Sequence, residues 1–336
     1  MHPPADNASL VDSFGRRHTS LRLSVTDRCN IRCTYCMPAD GVVFRPREEL
    51  LSFEEIVRFV RALVPLGIAK LRLTGGEPLV RSNLDQLVRM LAGMPDVDDL
   101  ALTTNGTLLA EQAEALAAAG LRRINISLDA LTEDAFQRVA RRPGLDRVLA
   151  GIAAALGAGG KQGRLNAGAP RGVSEDQIVP LTAFAREHDL ELRFIEFMPL
   201  DAEEHWSTAE VLTGAAVRAL VDQQFGRLTP APRRDASQPA RDFRFADNRG
   251  GVGFINSVTE PFCASCNRLR LTAEGQVRNC LFSTAEWDAR ALLRGGGTDD
   301  DLRTLVRDCV AVKAQAHGIG AADFHRPERA MYQIGG

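Results

Sequence analysis

Cys29, Cys33 and Cys36 fall within eight residues, in a C-x3-C-x2-C spacing. Thiolates at such short, fixed intervals hold iron–sulfur clusters. Three ligands leave one iron without a protein donor, and an open iron points to chemistry rather than structural support. A structural zinc site is usually closed by four ligands, and no His lies nearby to supply the fourth. A disulfide would leave an odd thiol in a chain that carries no mark of secretion. The spacing favours an open cluster.

A second set follows: Cys263 and Cys266, then Cys280, in a C-x2-C-x13-C pattern. On spacing alone a zinc knot and an iron–sulfur cluster are at parity, with Cys309 a conceivable fourth ligand. Cys309 lies in the apolar-periodic stretch 302–312, which reads as core and leaves three thiols for a second open cluster. Between these cysteines runs Asn267-Arg268-Leu269-Arg270-Leu271, whose alternation sets Arg268 and Arg270 on one strand face. Alone they would read as a solvated face; beside a cluster they suit bidentate capture of phosphate.

Thr74-Gly75-Gly76-Glu77-Pro78 ends another strand. Its glycines let backbone approach a ligand and present N–H groups to an anion, although the same residues also make a plain strand-to-helix turn. Lys70 and Arg72 share a face of that strand, and Ser127, Arg164 and Arg193 lie at or near later strands. A cation-rich site is expected in a chain whose net charge is only −2.

These residues need a frame. Segments 21–25, 70–74, 100–103, 123–128 and 191–197 read as strands. Phe53, Ile56, Val57, Val60, Leu63 and Val64 mark a helix face by their period, as do Leu84, Leu87, Val88 and Leu91. Further helices are expected over 108–119, stopped by Gly120, and over 145–156. Another opens at Ser174, with Gln177 placed for a capping box. The alternation implies an α/β fold of parallel strands flanked by helices, a barrel or an open sheet, with active residues at the C-terminal strand ends.

Residues 228–241, rich in Pro and polar side chains, read as a linker or long loop that divides the chain into 1–227 and 228–336. Short strands are expected at 242–245 and 251–257. Residues 157–172 hold six glycines and a proline, a poor composition for a central strand.

Length allows a large core, and 45% hydrophobic with 25% charged residues is ordinary for a globular protein. No apolar run approaches the roughly 20 residues that span a bilayer. The polar start, residues 1–13, lacks a signal-peptide core, so a cytoplasmic location without membrane is expected. The slight acidic balance argues against a nucleic-acid partner.

The first cysteine set, with Tyr35 before its last member, and the turn Gly75-Gly76-Glu77-Pro78 resemble the radical S-adenosylmethionine (SAM) superfamily. The tracts at 21–29, 73–79, 193–199 and 261–271 are similar to the GTP 3′,8-cyclase family of molybdenum cofactor biosynthesis, a likeness running from residue 15 onwards. It implies an incomplete parallel (βα)6-type TIM barrel whose C-terminal extension carries a second cluster. Two 4Fe-4S clusters are implied: one on Cys29, Cys33 and Cys36 that binds SAM, the other on Cys263, Cys266 and Cys280 that binds guanine. One electron then cleaves the sulfonium, the 5′-deoxyadenosyl radical takes the 3′ hydrogen of GTP, and C3′ attacks C8 of the base. The product is 3′,8-cyclo-7,8-dihydro-GTP.

By the same likeness Gly76, Arg72, Thr103 and Ser127 contact SAM, with the Met198 backbone near its adenine. Arg22, Lys70, Arg193, Arg268 and Arg270 surround GTP and its triphosphate, and Arg164, two residues before Asn166, stands where the family has Lys. Gly335 and Gly336 are implied to be a flexible pair reaching the active site, which with Arg268 and Arg270 makes the catalytic set; on their own physics they would be a frayed end. Implied partners are a reductant and a downstream pyranopterin monophosphate synthase, and a homodimer is compatible.

Two other readings compete. A radical SAM enzyme modifying a peptide or cofactor would usually carry more C-terminal cysteines and lack Asn267-Arg268-x-Arg270. A non-catalytic metal-binding module for nucleic acid is opposed by the acidic balance and the Gly-Gly-Glu-Pro turn.

Overall fold

The computed structural model describes residues 9–158, 163–233 and 235–336. Six strands come first: β1 (Ser20–Ser24), β2 (Lys70–Thr74), β3 (Asp99–Thr104), β4 (Arg123–Ser127), β5 (Gly163–Ala169) and β6 (Glu191–Glu196). They pair in chain order and all run parallel. The connections carry α1 (Phe53–Leu63), α2 (Leu84–Ala92), α3 (Leu109–Ala118), α4 (Glu133–Ala140), α5 (Leu145–Gly157) and α6 (Glu175–Glu187).

After α7 (Gly214–Phe225) come β7 (Thr229–Pro230), β8 (Arg241–Arg244), β9 (Gly251–Ile255), β10 (Arg268–Leu271), β11 (Gln276–Arg278) and β12 (Trp287–Asp288). The chain then forms α8 (Ala289–Arg294), α9 (Asp299–Ala311) and α10 (Met331–Ile334). β9 adds parallel to β6, and β10 adds parallel to β1. One sheet of twelve strands results, its ends formed by the antiparallel hairpins β7–β8 and β11–β12. The architecture is an incomplete α/β barrel.

Alternation along the strands explains the hollow centre. Leu21, Leu23, Leu71, Leu73, Leu269 and Leu271 are at most 1% exposed and pack into the main core. Each such burial is worth about 1.5–3 kcal/mol. Their sequence neighbours Ser20, Arg22, Lys70, Arg72, Arg268 and Arg270 line a cavity on the other face. A parallel sheet buried on both faces reads as continuous apolar runs, so polar alternation here marks a space to be filled by a ligand.

Two expectations are corrected. Ser174 precedes α6 but makes no side-chain cap; its hydroxyl donates to Gly168 O, while Gln177 Oε1 accepts from Leu131 N. The capping box is absent because tertiary partners take both side chains. Residues 163–169, poor in composition, nonetheless form a central strand, paired on both sides along β4 and β6. Neighbouring backbones supply its hydrogen bonds, and Leu165, Ala167 and Ala169 supply its buried face. Gly168 has a specific use: a Cβ there would stand 3.2 Å from the Tyr35 ring. Gly159, Gly160, Lys161 and Gln162 lie outside the described residues.

Candidate active site

The cavity, about 580 Å³, is lined by side chains from β1 to β6 and from β9 and β10. Arg22, Lys70, Arg72, Gly76, Thr103, Ser127, Arg164, Arg193, Met198, Arg268, Arg270 and Gly336 all reach it, as do Cys29, Cys33 and Cys36. Cys263, Cys266 and Cys280 stand just behind its wall, which their neighbours Phe262, Asn267, Arg268 and Leu281 form.

Strand direction sets the two cysteine triplets at opposite ends. Cys29, Cys33 and Cys36 follow β1 and so lie at its C-terminal end. Cys263 and Cys266 precede β10, which runs parallel to β1, and Cys280 follows the antiparallel β11; the second triplet lies at the N-terminal end. Lys70, Arg123 and Arg268 each open their strands, and Arg164 is the second residue of β5. The expectation that every site residue sits at a C-terminal strand end is therefore corrected: the cavity runs through the open barrel.

The first triplet is held from two sides. The carbonyls of Val139 and Ala140, which α4 cannot use internally, accept from Thr34 N and Arg32 N. On the other side Gly76 N donates to Thr26 O, and Glu77 N donates to Arg28 O. A Cβ at Gly76 would lie 2.4 Å from Arg28 O, and one at Gly75 2.5 Å from Thr26 O. This corrects a second expectation: the N–H groups of Gly76 and Glu77 go to the chain leading into the cysteines, not to an anion. Burial pushes the Cys29 thiol up to about 11 and raises the Cys33 and Cys36 thiols well above the ordinary cysteine value.

All six cysteines are free thiols, and sulfur donors of this kind suit iron–sulfur ligation. Among the described residues no three His, Cys, Asp or Glu side chains gather around one metal ion. Three thiols in each set are the donor chemistry of an iron–sulfur cluster rather than of a closed four-ligand zinc site. Cys309 is fully buried in the core and takes no part.

Between the triplets the wall is cationic, with eight Lys and Arg against five Asp and Glu. Four cations have carboxylate partners: Lys70 with Asp235, Arg123 with Asp99, Arg164 with Glu191 and Arg193 with Asp242. Among the described residues Arg22, Arg72, Arg268 and Arg270 have none; Arg72 donates to Thr103 Oγ1 at 3.0 Å and Arg270 to Gly335 O. Burial, then the crowding of guanidiniums, holds Arg22 down at about 10 and Arg72 and Arg270 well below the ordinary arginine value. Guanidinium stays charged in proteins, so this repulsion is relieved by a polyanion. Among the described residues Asn125 Oδ1, Asn166 Oδ1 and Arg193 Nε are buried without hydrogen-bond partners, further donors and acceptors for a bound molecule.

Gly335 and Gly336 are docked rather than frayed. Gly335 takes a φ of +73°, and a Cβ there would meet Thr74 Oγ1 at 2.5 Å. Ile334 behind it is fully buried. Sequence reasoning missed Asp235, Ser237 and Gln238, which come from the supposed linker and line the cavity. It also missed Asp129, whose carboxylate accepts from Tyr35 Oη and Gly168 N, both at 2.7 Å. Prolines obscured the first group; nothing local marks the second.

The sequence profile of the radical SAM superfamily matches residues 23–185, and that named Molybdenum Cofactor Synthesis C matches residues 190–319. A GTP 3′,8-cyclase of Rhodopirellula baltica is 52% identical over 98% of this chain and 93% of its own length. One from Paenarthrobacter nicotinovorans is 46% identical over 99% of both. Among solved structures, Streptococcus suis SuiB bound to precursor peptide SuiA superposes with a TM-score of 0.60 at 15% identity, covering 90% of this chain and 67% of that one. That likeness concerns the fold.

Proposed function

The chain belongs to the GTP 3′,8-cyclase family, radical SAM enzymes of molybdenum cofactor biosynthesis, and we propose how its residues divide that work. The observation that carries the assignment is the pair of open cysteine triplets at opposite ends of one cationic cavity. Cys29, Cys33 and Cys36 hold one 4Fe-4S cluster, and Cys263, Cys266 and Cys280 hold the other. With SAM bound, the first supplies a 5′-deoxyadenosyl radical that abstracts hydrogen from the ribose of GTP.

The protein positions the reactants and keeps water away. Gly76, Arg72, Thr103, Ser127 and the Met198 backbone are read as the SAM contacts, at the end nearer the first triplet. Arg22, Lys70, Arg164, Arg193, Arg268 and Arg270 are read as the triphosphate and substrate contacts. For Lys70, Arg164 and Arg193 the nucleotide displaces or shares an existing carboxylate partner; for Arg22 and Arg270 it supplies the anion they lack, and Arg268 divides its donors between the nucleotide and Cys266 Sγ. Arg270, bonded to Gly335 O, ties the Gly335–Gly336 pair to this wall. Arg268, Arg270, Gly335 and Gly336 are therefore read as the group nearest the reacting ribose and base.

The reading calls for an external one-electron reductant and for pyranopterin monophosphate synthase to consume the product. It is compatible with a cytoplasmic homodimer. Among the described residues no helix is long and apolar enough to cross a membrane.

Anaerobic reconstitution tests the assignment: two four-iron clusters require about eight irons per chain. Four irons and one zinc would refute the second cluster. Cys263→Ala is expected to keep SAM cleavage and lose cyclised product; equal product from variant and wild type would contradict the role given to the second triplet.

A further inference from the structure

Lys313 is 3% exposed, just beyond α9. Its ammonium donates to Arg268 O at 2.9 Å and to Cys266 Sγ at 3.7 Å. Among the described residues no carboxylate forms an ion pair with it. Asp12, the buried carboxylate of this corner, is engaged by Arg16 and His18. An unpaired buried ion costs several kcal/mol, so a buried ammonium aimed at sulfur needs an anion there.

The same sulfur has a second cationic donor, Arg268 Nη2 at 3.3 Å. Arg16 fixes the arrangement: it donates to Cys263 O and to the carbonyls of Ala314 and Gln315, joining the Lys313 turn to the cysteine loop. The first triplet differs in kind. Cys29 Sγ receives a neutral amide, Asn105 Nδ2, at 3.8 Å.

We propose that Lys313 is a positioning residue for the C-terminal cluster: its ammonium, beside Arg268, bonds the Cys266 thiolate and makes that cluster easier to reduce. This rests on the cluster assignment above. Hydrogen bonds to sulfur and local charge set the potential of an iron–sulfur centre. Drawing electron density from the thiolate also makes the cluster's irons better acceptors for a nitrogen or oxygen of the substrate base. Burial keeps the charge close to the sulfur and away from screening water.

The test uses the full chain carrying Cys29→Ala, Cys33→Ala and Cys36→Ala, reconstituted anaerobically so that the second triplet alone holds iron. A redox titration followed by electron paramagnetic resonance compares this parent with Lys313→Met and Lys313→Arg added. The expected result is a more negative midpoint for Lys313→Met and a return toward the parent for Lys313→Arg. Equal midpoints for the parent and Lys313→Met would overturn the inference. If Lys313→Met holds no iron, Lys313→Arg decides: iron at the parent midpoint upholds a charge role, and no iron assigns Lys313 to packing and overturns it. A parent that takes up zinc, or no iron, sinks the cluster assignment itself and the inference with it.

Discussion

A methyl group at Gly76 would lie 2.4 Å from the backbone oxygen of Arg28, so the strand end or the cysteine loop must shift to admit it. Overpacking of this kind costs about 1–3 kcal/mol. The strain falls on the segment that aims the first triplet. Gly76→Ala is expected to lower iron content to about four per chain, with the second cluster retained; full iron and unchanged SAM cleavage would contradict this. Tyr35→Phe removes a donor from the buried Asp129 carboxylate. A loss of about 1–3 kcal/mol is expected in denaturant melts of the reconstituted protein, and an unchanged midpoint would argue against the contact. The cysteines, Arg268 and Arg270 are legible in sequence because spacing and alternation are local. Lys313 and Asp129 are not, because the sulfur and hydroxyl that give them meaning lie 47 and 94 residues away.

Elements show the same division. β1 to β4 and β6 are readable from short alternating runs, and α1 from its apolar period; its Ser52–Glu55 capping box emerges only in the structure. β5 misleads because pairing on two sides overrides its composition, and the short α4 escapes notice although its end anchors the cysteine loop. The corner before β1 makes a pH prediction. Burial, then Lys313, holds His18 down at about 4 against an ordinary 6.5. Its contribution is thus fully present above 6.5 and lost as pH falls toward 4, since the unfolded chain binds the proton first. Asp12, held below its ordinary 3.8, titrates outside that window. Wild type is expected to lose about 1 kcal/mol more stability than His18→Gln between about pH 7.5 and about pH 5.5. Parallel pH profiles in guanidinium melts would contradict the assignment.

Over the whole molecule, the decisive step is the return of the C-terminal region to both edges of the first six strands. β9 lands beside β6 and β10 beside β1, so Arg268 and Arg270 face the same space as Arg22 and Arg72. No local pattern announces that return, which is why the second triplet's place at the opposite end of the cavity could not be read from spacing. The arrangement makes a central claim: a nucleotide held between the two clusters gives up its ribose hydrogen to the radical made at one end. Anaerobic turnover with SAM, reductant and GTP deuterated at C3′ tests it by mass analysis. The account predicts deuterium in the 5′-deoxyadenosine together with a cyclised isomer of GTP. Unlabelled 5′-deoxyadenosine with GTP recovered unchanged would contradict it.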